Sequence, residues 1–89
     1  MLLNILGDLS LATSATDDAY RSYSQALNIA REIGARNEEA WALAGMGKGL
    51  LPSDPATAAV RLREALEIYR RTGSGEAQRI QDTLTEHGL

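Results

Sequence analysis

Apolar residues recur at intervals of three and four along most of this chain, which is the spacing of one face of an α-helix. They are mainly Leu, Ile and Ala, and short stretches rich in Gly, Pro, Ser, Thr and Asp divide them into five segments. Val occurs once and Phe is absent, so strand-forming residues are too few for a sheet. The pattern predicts an all-α fold.

The turns between these segments contain residues that start helices. Asp54 followed by Pro55 indicates an N-cap and the first helical position of the fourth helix. Thr16 or Asp17 is predicted to cap the second helix and Asn37 the third, because their side chains can accept hydrogen bonds from the N–H groups of a first turn. The sequence therefore predicts side-chain caps at three helix starts.

The first segment is apolar on more than one face of its predicted helix. A terminal helix needs an apolar face only toward its neighbours, so we expect something to cover the rest. Either residues beyond this sequence cover it, which would make the chain a piece of a longer protein, or a second copy of the chain does. The candidate self-association residues are Leu2, Ile5 and Leu9.

The chain contains an internal repeat. Residues 26–29 (ALNI) match residues 65–68 (ALEI) at an offset of 39 residues, and Gly34 matches Gly73 at the same offset. A glycine at these positions is typical of a helix end. The repeat predicts one domain over residues 1–89, with a hairpin at about 1–34, a second hairpin at about 37–73 and a more polar capping helix at about 76–87.

Each hairpin also follows the spacing W-x2-L-G-x2-Y, then A-x3-F, then a further small residue. The first has Leu3, Leu6, Gly7, Ser10, Ala19, Tyr23 and Ala26 at these positions; the second has Leu43, Met46, Gly47, Leu50, Ala58, Leu62 and Ala65. The chain resembles the tetratricopeptide repeat family in these residues. The resemblance implies antiparallel hairpins stacked as a short right-handed solenoid, in which all these positions except Ser10 and Leu50 pack between helices.

The glycines of this motif have a predicted packing role. Gly7 and Gly47 remove a side chain where the first helix of each hairpin crosses the second, and Ala19 and Ala58 are expected to provide the facing small surface. The repeat is longer than the usual length of about 34 residues. In this respect it is similar to the C-terminal repeats of bacterial signalling and transcription regulators.

The resemblance further implies a noncatalytic protein or peptide interaction module, with a groove along the first helix of each hairpin. Matched by position, the groove residues are Asn4, Asp8, Leu11, Trp41, Ala44, Lys48, Leu51, Gln78 and Gln81. Asn4 and Lys48 alone would make a weak clamp for a peptide carboxylate. Trp41 is equally compatible with a role as groove anchor and with ordinary packing.

Charge and composition narrow the classes of partner. The net charge is −3 and Lys48 is the only lysine, so the clustered positive charge of a nucleic-acid surface is not expected. The absence of cysteine excludes disulfides and thiolate metal sites. No apolar run approaches the ~18 residues of a membrane span, and Asp8 within the apolar N-terminus argues against a secretion signal. We expect a cytoplasmic protein without membrane contact.

Three groups of residues could in principle form a phosphate-binding or metal-binding site, and each lacks a feature that such a site requires. Residues 45–49 (GMGKG) lack the spacing and the preceding strand of a phosphate-binding loop. The adjacent carboxylates of residues 17–18 lack further ligands, and Asp82, Glu86 and His87 lie at a polar helix end. We therefore predict no catalysis, cofactor or metal. The alternatives are a structural homo-oligomerisation unit and a nucleotide-binding helical domain that uses residues 45–49.

Overall fold

A computed structural model describes residues 2–89, and within this range the only regular elements are α-helices. The prediction of an all-α fold is confirmed. Met1, which the predicted first hairpin included, lies outside the described residues. The helices are α1 (Leu2–Ala12), α2 (Thr16–Ile33), α3 (Arg36–Leu50), α4 (Pro55–Thr72) and α5 (Glu76–Glu86).

Local sequence determines several helix ends. The Asp54 carboxylate accepts a hydrogen bond from the Thr57 N–H at 3.2 Å, and Pro55 occupies the first turn of α4. Hydrogen bonding from Thr57, first from its side chain and then from its backbone N–H, holds the pKa of Asp54 below its ordinary value. Gly34 and Gly73 end α2 and α4 with φ of 71°, a left-handed conformation that glycine adopts without strain.

The other two predicted caps are wrong. α2 begins at Thr16 itself and α3 begins at Arg36, and neither start has a side-chain cap. Asn37 therefore lies inside the first turn of α3, where its side-chain oxygen accepts a 2.8 Å hydrogen bond from the Thr72 hydroxyl at the end of α4. The Asn37 side chain, which the local sequence predicted to cap α3, thus forms a contact between α3 and α4 instead.

Each helix packs against the next one along the chain, and α3 additionally packs against α1. α3 is the central helix of the fold, because α1, α2 and α4 all contact it. Its middle is consequently buried almost all the way round, from Glu39 to Gly47 with only Trp41 partly exposed. The remaining core is formed by apolar residues of α2, α4 and α5.

Glycines on two helices make room for one aromatic ring. A Cβ added at Gly7 of α1 would lie 2.5 Å from the Tyr23 ring, and a Cβ at Gly45 of α3 would also overlap that ring. The Tyr23 side chain of α2 is 1% exposed, so it is enclosed by both helices. The atoms nearest to Gly7 thus belong to the bulky Tyr23 and not to the small Ala19 that was expected to face this glycine.

Between α3 and α4, a Cβ at Gly47 would lie 2.7 Å from Leu62 and 3.1 Å from the Ala58 carbonyl oxygen. Gly47 therefore approaches Ala58 closely, as expected, and it approaches Leu62 more closely still.

One of the predicted packing residues, Leu6, does not pack between helices. It is 42% exposed, because α1 turns its Gly7 side toward the fold. Leu3 is half-buried against the core, and the buried packing residues are Gly7, Ala19, Tyr23, Ala26, Leu43, Met46, Gly47, Ala58, Leu62 and Ala65.

Candidate functional site

A groove of about 600 Å³ opens where α1, α3, α4 and α5 meet. Most of the lining residues belong to α1, α3 and α5, and α2 and α4 contribute one tyrosine each. Its lining residues are Asp8, Leu11, Ala12, Tyr23, Trp41, Ala44, Gly45, Lys48, Tyr69, Glu76, Arg79 and Ile80. The volume lies in the range of small-ligand and side-chain pockets.

Five of the predicted groove residues lie in this groove, namely Asp8, Leu11, Trp41, Ala44 and Lys48. The structure places the other four elsewhere. Leu51 packs against the core, Gln78 donates a 2.9 Å hydrogen bond to Asp82, and Gln81 accepts one from Arg70. On α5 the residues that reach the groove are instead Glu76, Arg79 and Ile80.

Asn4 is buried and forms part of the interior. It is 0% exposed, and its Nδ2 donates to both the backbone oxygen and the Oε2 of Glu38 at 3.1 Å. Its Oδ1 has no hydrogen-bond partner in the described part of the chain. The predicted groove role of Asn4, and with it the weak carboxylate clamp with Lys48, is wrong because the amide is held between α1 and α3.

Asp8 connects three helices at the groove wall. Its Oδ1 accepts a 2.5 Å hydrogen bond from the Tyr23 hydroxyl of α2, and its Oδ2 accepts a 2.9 Å bond from Trp41 Nε1 of α3. Burial, together with the hydrogen bond to Asp8 and its charge, raises the pKa of Tyr23 above its ordinary value. The hydroxyl therefore stays protonated at neutral pH and donates to Asp8. Asp8 in turn accepts the hydrogen bond from the Trp41 indole, so one carboxylate holds both side chains.

Tyr69 supplies a polar atom to the groove that has no protein partner. The residue is 7% exposed, and its hydroxyl forms no hydrogen bond with any residue of the described range 2–89. Burial, and then the charges of Glu76, Glu38 and Asp8, raise the pKa of Tyr69 to about 12. The hydroxyl is thus protonated at neutral pH and lies in a field dominated by carboxylates.

The apolar spacing of the fourth helix places Tyr69 on its inward face. For that reason Tyr69 was not predicted to line the groove. The pattern of apolar spacing treats a tyrosine as one more core position. The sequence did contain a sign that Tyr69 could reach a binding site. A buried tyrosine hydroxyl usually needs a hydrogen-bond partner, and the other inward positions of the fourth helix are apolar.

The residues considered for phosphate or metal binding lie within or at the ends of helices. Residues 45–49 are all helical, and Gly45 and Gly47 pack on Tyr23 and Leu62. His87 Nδ1 lies 2.9 Å from the Thr83 carbonyl oxygen of its own helix. Across residues 2–89, no three His, Cys, Asp or Glu side chains converge as metal ligands would. None of the helices there has the length and apolar character for crossing a bilayer.

A second surface feature is the α1 apolar stripe, defined as Leu2, Ile5, Leu6 and Leu9. These side chains are 69%, 53%, 42% and 63% exposed. Their spacing of three and four places them on one face of α1. The only charged residue of α1 is Asp8, which is held in the groove by Tyr23 and Trp41, so the stripe itself carries no charge.

Comparison of the chain with protein-family models, with curated proteins and with solved structures finds no match. The resemblance to tetratricopeptide repeats therefore stays a prediction from the sequence.

Proposed function

We propose that this protein is a noncatalytic interaction module that binds a segment of a partner protein in the groove. In this proposal the helices are two stacked hairpins plus a capping helix, arranged as a short right-handed solenoid. The sequence resemblance favours a cytoplasmic bacterial regulator involved in signalling or transcription as the protein in which it acts. It binds neither nucleic acid nor membrane, and it needs no cofactor.

The observation that carries the proposal is the groove itself. α1, α3 and α5, which are the first helices of the two hairpins and the capping helix, all contribute to one concave wall. The wall combines apolar area from Leu11, Ala44 and Ile80 with the indole of Trp41. Aromatic anchors surrounded by apolar contacts and a polar rim are typical of surfaces that hold protein segments.

Trp41 makes this proposal directly testable because it is the only tryptophan and lies in the groove. We expect a randomised octapeptide library to contain ligands that shift the Trp41 emission in a saturable manner. The Ala12→Gln variant places a longer side chain at the groove wall and should weaken this binding by about fivefold, which corresponds to about 1 kcal/mol.

Ala56→Gln is the matched control, since Ala56 is also an exposed alanine near a helix end but lies outside the groove. It should leave the affinity unchanged. Absence of any peptide that shifts Trp41 emission, or equal effects of the two substitutions, would contradict groove binding.

The α1 apolar stripe supports a second candidate function, which is structural self-association. The stripe is uncharged, so the same patch on two copies can meet about a two-fold axis without like-charge repulsion. Each fully buried Leu or Ile side chain contributes about 1.5–3 kcal/mol relative to an exposed one. The exposed end helix α5 is mostly polar, so contact between two α1 helices is favoured over stacking of α1 on α5.

Substitution of Ile5 by glutamate should convert a concentration-dependent dimer into a monomer, because it places a charge in the centre of the stripe. The measurement is sedimentation equilibrium over a wide concentration range. Val60→Glu is the matched control, since Val60 and Ile5 are both 53% exposed but Val60 lies on α4. A wild-type protein that stays monomeric at all concentrations would refute this second function and leave groove binding untouched.

A further inference from the structure

The two ends of the groove differ in charge. Asp8, Trp41, Tyr69 and Glu76 line one end, where Trp41 Nε1 lies 2.9 Å from Asp8 Oδ2. Burial, followed by the charges of Glu76, Glu38 and Asp8, raises the pKa of Tyr69 there. Lys48 belongs to the other end, since it follows Trp41 by seven residues on α3 and therefore lies about 10 Å further along the helix axis. A ligand in the groove thus meets carboxylates and aromatic rings at one end and an ammonium group at the other.

The charge of Asp8 is not neutralised by any residue in the range 2–89. Both of its hydrogen-bond donors, the Tyr23 hydroxyl and the Trp41 indole, are neutral groups. Within residues 2–89, no Lys, Arg or His nitrogen forms an ion pair with it. Each carboxylate oxygen can accept more than one hydrogen bond, so both oxygens keep capacity for a further donor.

Tyr69 adds an unused acceptor beside this carboxylate. Its hydroxyl oxygen has no partner among the described residues although the residue is only 7% exposed. The hydroxyl keeps contact with the open groove, so a ligand that supplies an N–H group can donate to it there.

Neither of the two basic groups of the groove, Lys48 and Arg79, pairs with Asp8. Arg79 lines the groove and pairs with Glu76, with Nε 3.8 Å from Oε1, and its side chain is 79% exposed. The geometry of that pair is loose, and an exposed pair of this kind is easily exchanged for another. Lys48 is exposed and forms no ion pair in the described part of the chain, so it is available to an acidic group of the same ligand.

We propose that the end of the groove formed by Asp8, Trp41, Tyr69 and Glu76 binds the cationic side chain of a lysine or arginine from the partner segment. The ammonium or guanidinium N–H groups donate to the Asp8 carboxylate and to the Tyr69 oxygen, while Glu76 contributes its charge from α5. This inference rests on the proposed function, since it specifies which side chain the groove selects.

The test uses octapeptides that are acetylated at the N-terminus and amidated at the C-terminus, so that only side chains carry charge. Pools with one position fixed as Lys, Arg, Leu or Glu are compared by their shift of Trp41 emission. We expect the Lys and Arg pools to bind best at one position. Replacement of that lysine by norleucine in the best peptide should weaken binding about tenfold, since hydrogen bonds to charged groups are the strong ones.

Two protein variants locate the site. Tyr69→Phe and Glu76→Gln should each weaken the lysine peptide several-fold and leave the norleucine peptide unaffected. Tyr20→Phe is the control for the first variant, because Tyr20 lies outside the groove. Glu64→Gln is the control for the second, because Glu64 also pairs with an arginine three residues away, at 3.3 Å, and does not line the groove.

The outcomes separate this inference from the function on which it rests. Peptides that bind without a basic residue, yet still respond to Ala12→Gln, overturn the cation site and keep the groove as a binding surface. Enrichment of the Glu pools overturns it in favour of Lys48. Equal effects of Tyr69→Phe and Glu76→Gln on the lysine and norleucine peptides also overturn it. If no pool shifts Trp41 emission, the proposed function fails together with this inference.

Discussion

Replacement of Gly45 by alanine will destabilise the protein by about 2 kcal/mol, the balance of a steric cost of about 3 kcal/mol and a helix-propensity gain of about 1 kcal/mol. The added methyl group would lie no more than 2.5 Å from three atoms of the Tyr23 ring. The ring has no room to yield, because Gly7 contacts it as well and its hydroxyl is held by Asp8. Urea denaturation followed by far-UV circular dichroism measures the change.

Gly49→Ala is the matched control for this prediction. Gly49 lies in the same helix, and a Cβ there would be 3.6 Å from Leu11 and 3.7 Å from Thr16, which are ordinary contacts. This variant should gain up to about 1 kcal/mol from helix propensity. A smaller residue at Tyr23 combined with Gly45→Ala should be less costly than the sum of the two single changes. If both alanine variants stabilise the protein equally, the enclosed ring does not control the packing of α3.

Replacement of Asn4 by aspartate will destabilise the protein by about 3 kcal/mol, because it exchanges a buried amide donor for a buried negative charge. The Nδ2 group of Asn4 points at two oxygens of Glu38, and a carboxylate oxygen there would face them with no hydrogen to share. The residue is 0% exposed, so water cannot screen the repulsion. Thermal and urea unfolding of this variant and the wild type give the difference.

Asn4→Leu separates the charge from the shape of this side chain. It also removes the Oδ1 atom, which has no hydrogen-bond partner within residues 2–89, and it introduces no charge. We expect a cost of about 1 kcal/mol, close to that of one ordinary hydrogen bond. Equal destabilisation by aspartate and leucine would show that the cost comes from the loss of the amide and not from electrostatic repulsion.

The sequence determined the features that depend on neighbours along the chain. The periodicity of apolar residues predicted the all-α fold, because three- and four-residue spacing records which side chains share a helix face. The Asp54 cap and the left-handed Gly34 and Gly73 followed from local hydrogen bonding and local backbone freedom. These interactions involve residues no more than a few positions apart, so the tertiary fold has little opportunity to change them.

The tertiary structure decided which of the candidate polar side chains line the groove and which are buried. Asn4 and Asp8 are one helical turn apart and were predicted to face the same partner, yet Asn4 is sealed against Glu38 and Asp8 lines the groove. Tyr69 was assigned to the core by its spacing and is buried there, but it also lines the groove, where its hydroxyl has no partner among residues 2–89. Spacing specifies a face of a helix but not the helix that crosses it. The depth and angle of that crossing, which depend on how Gly7 and Gly45 accommodate Tyr23, decide which polar atoms are buried and which meet a ligand.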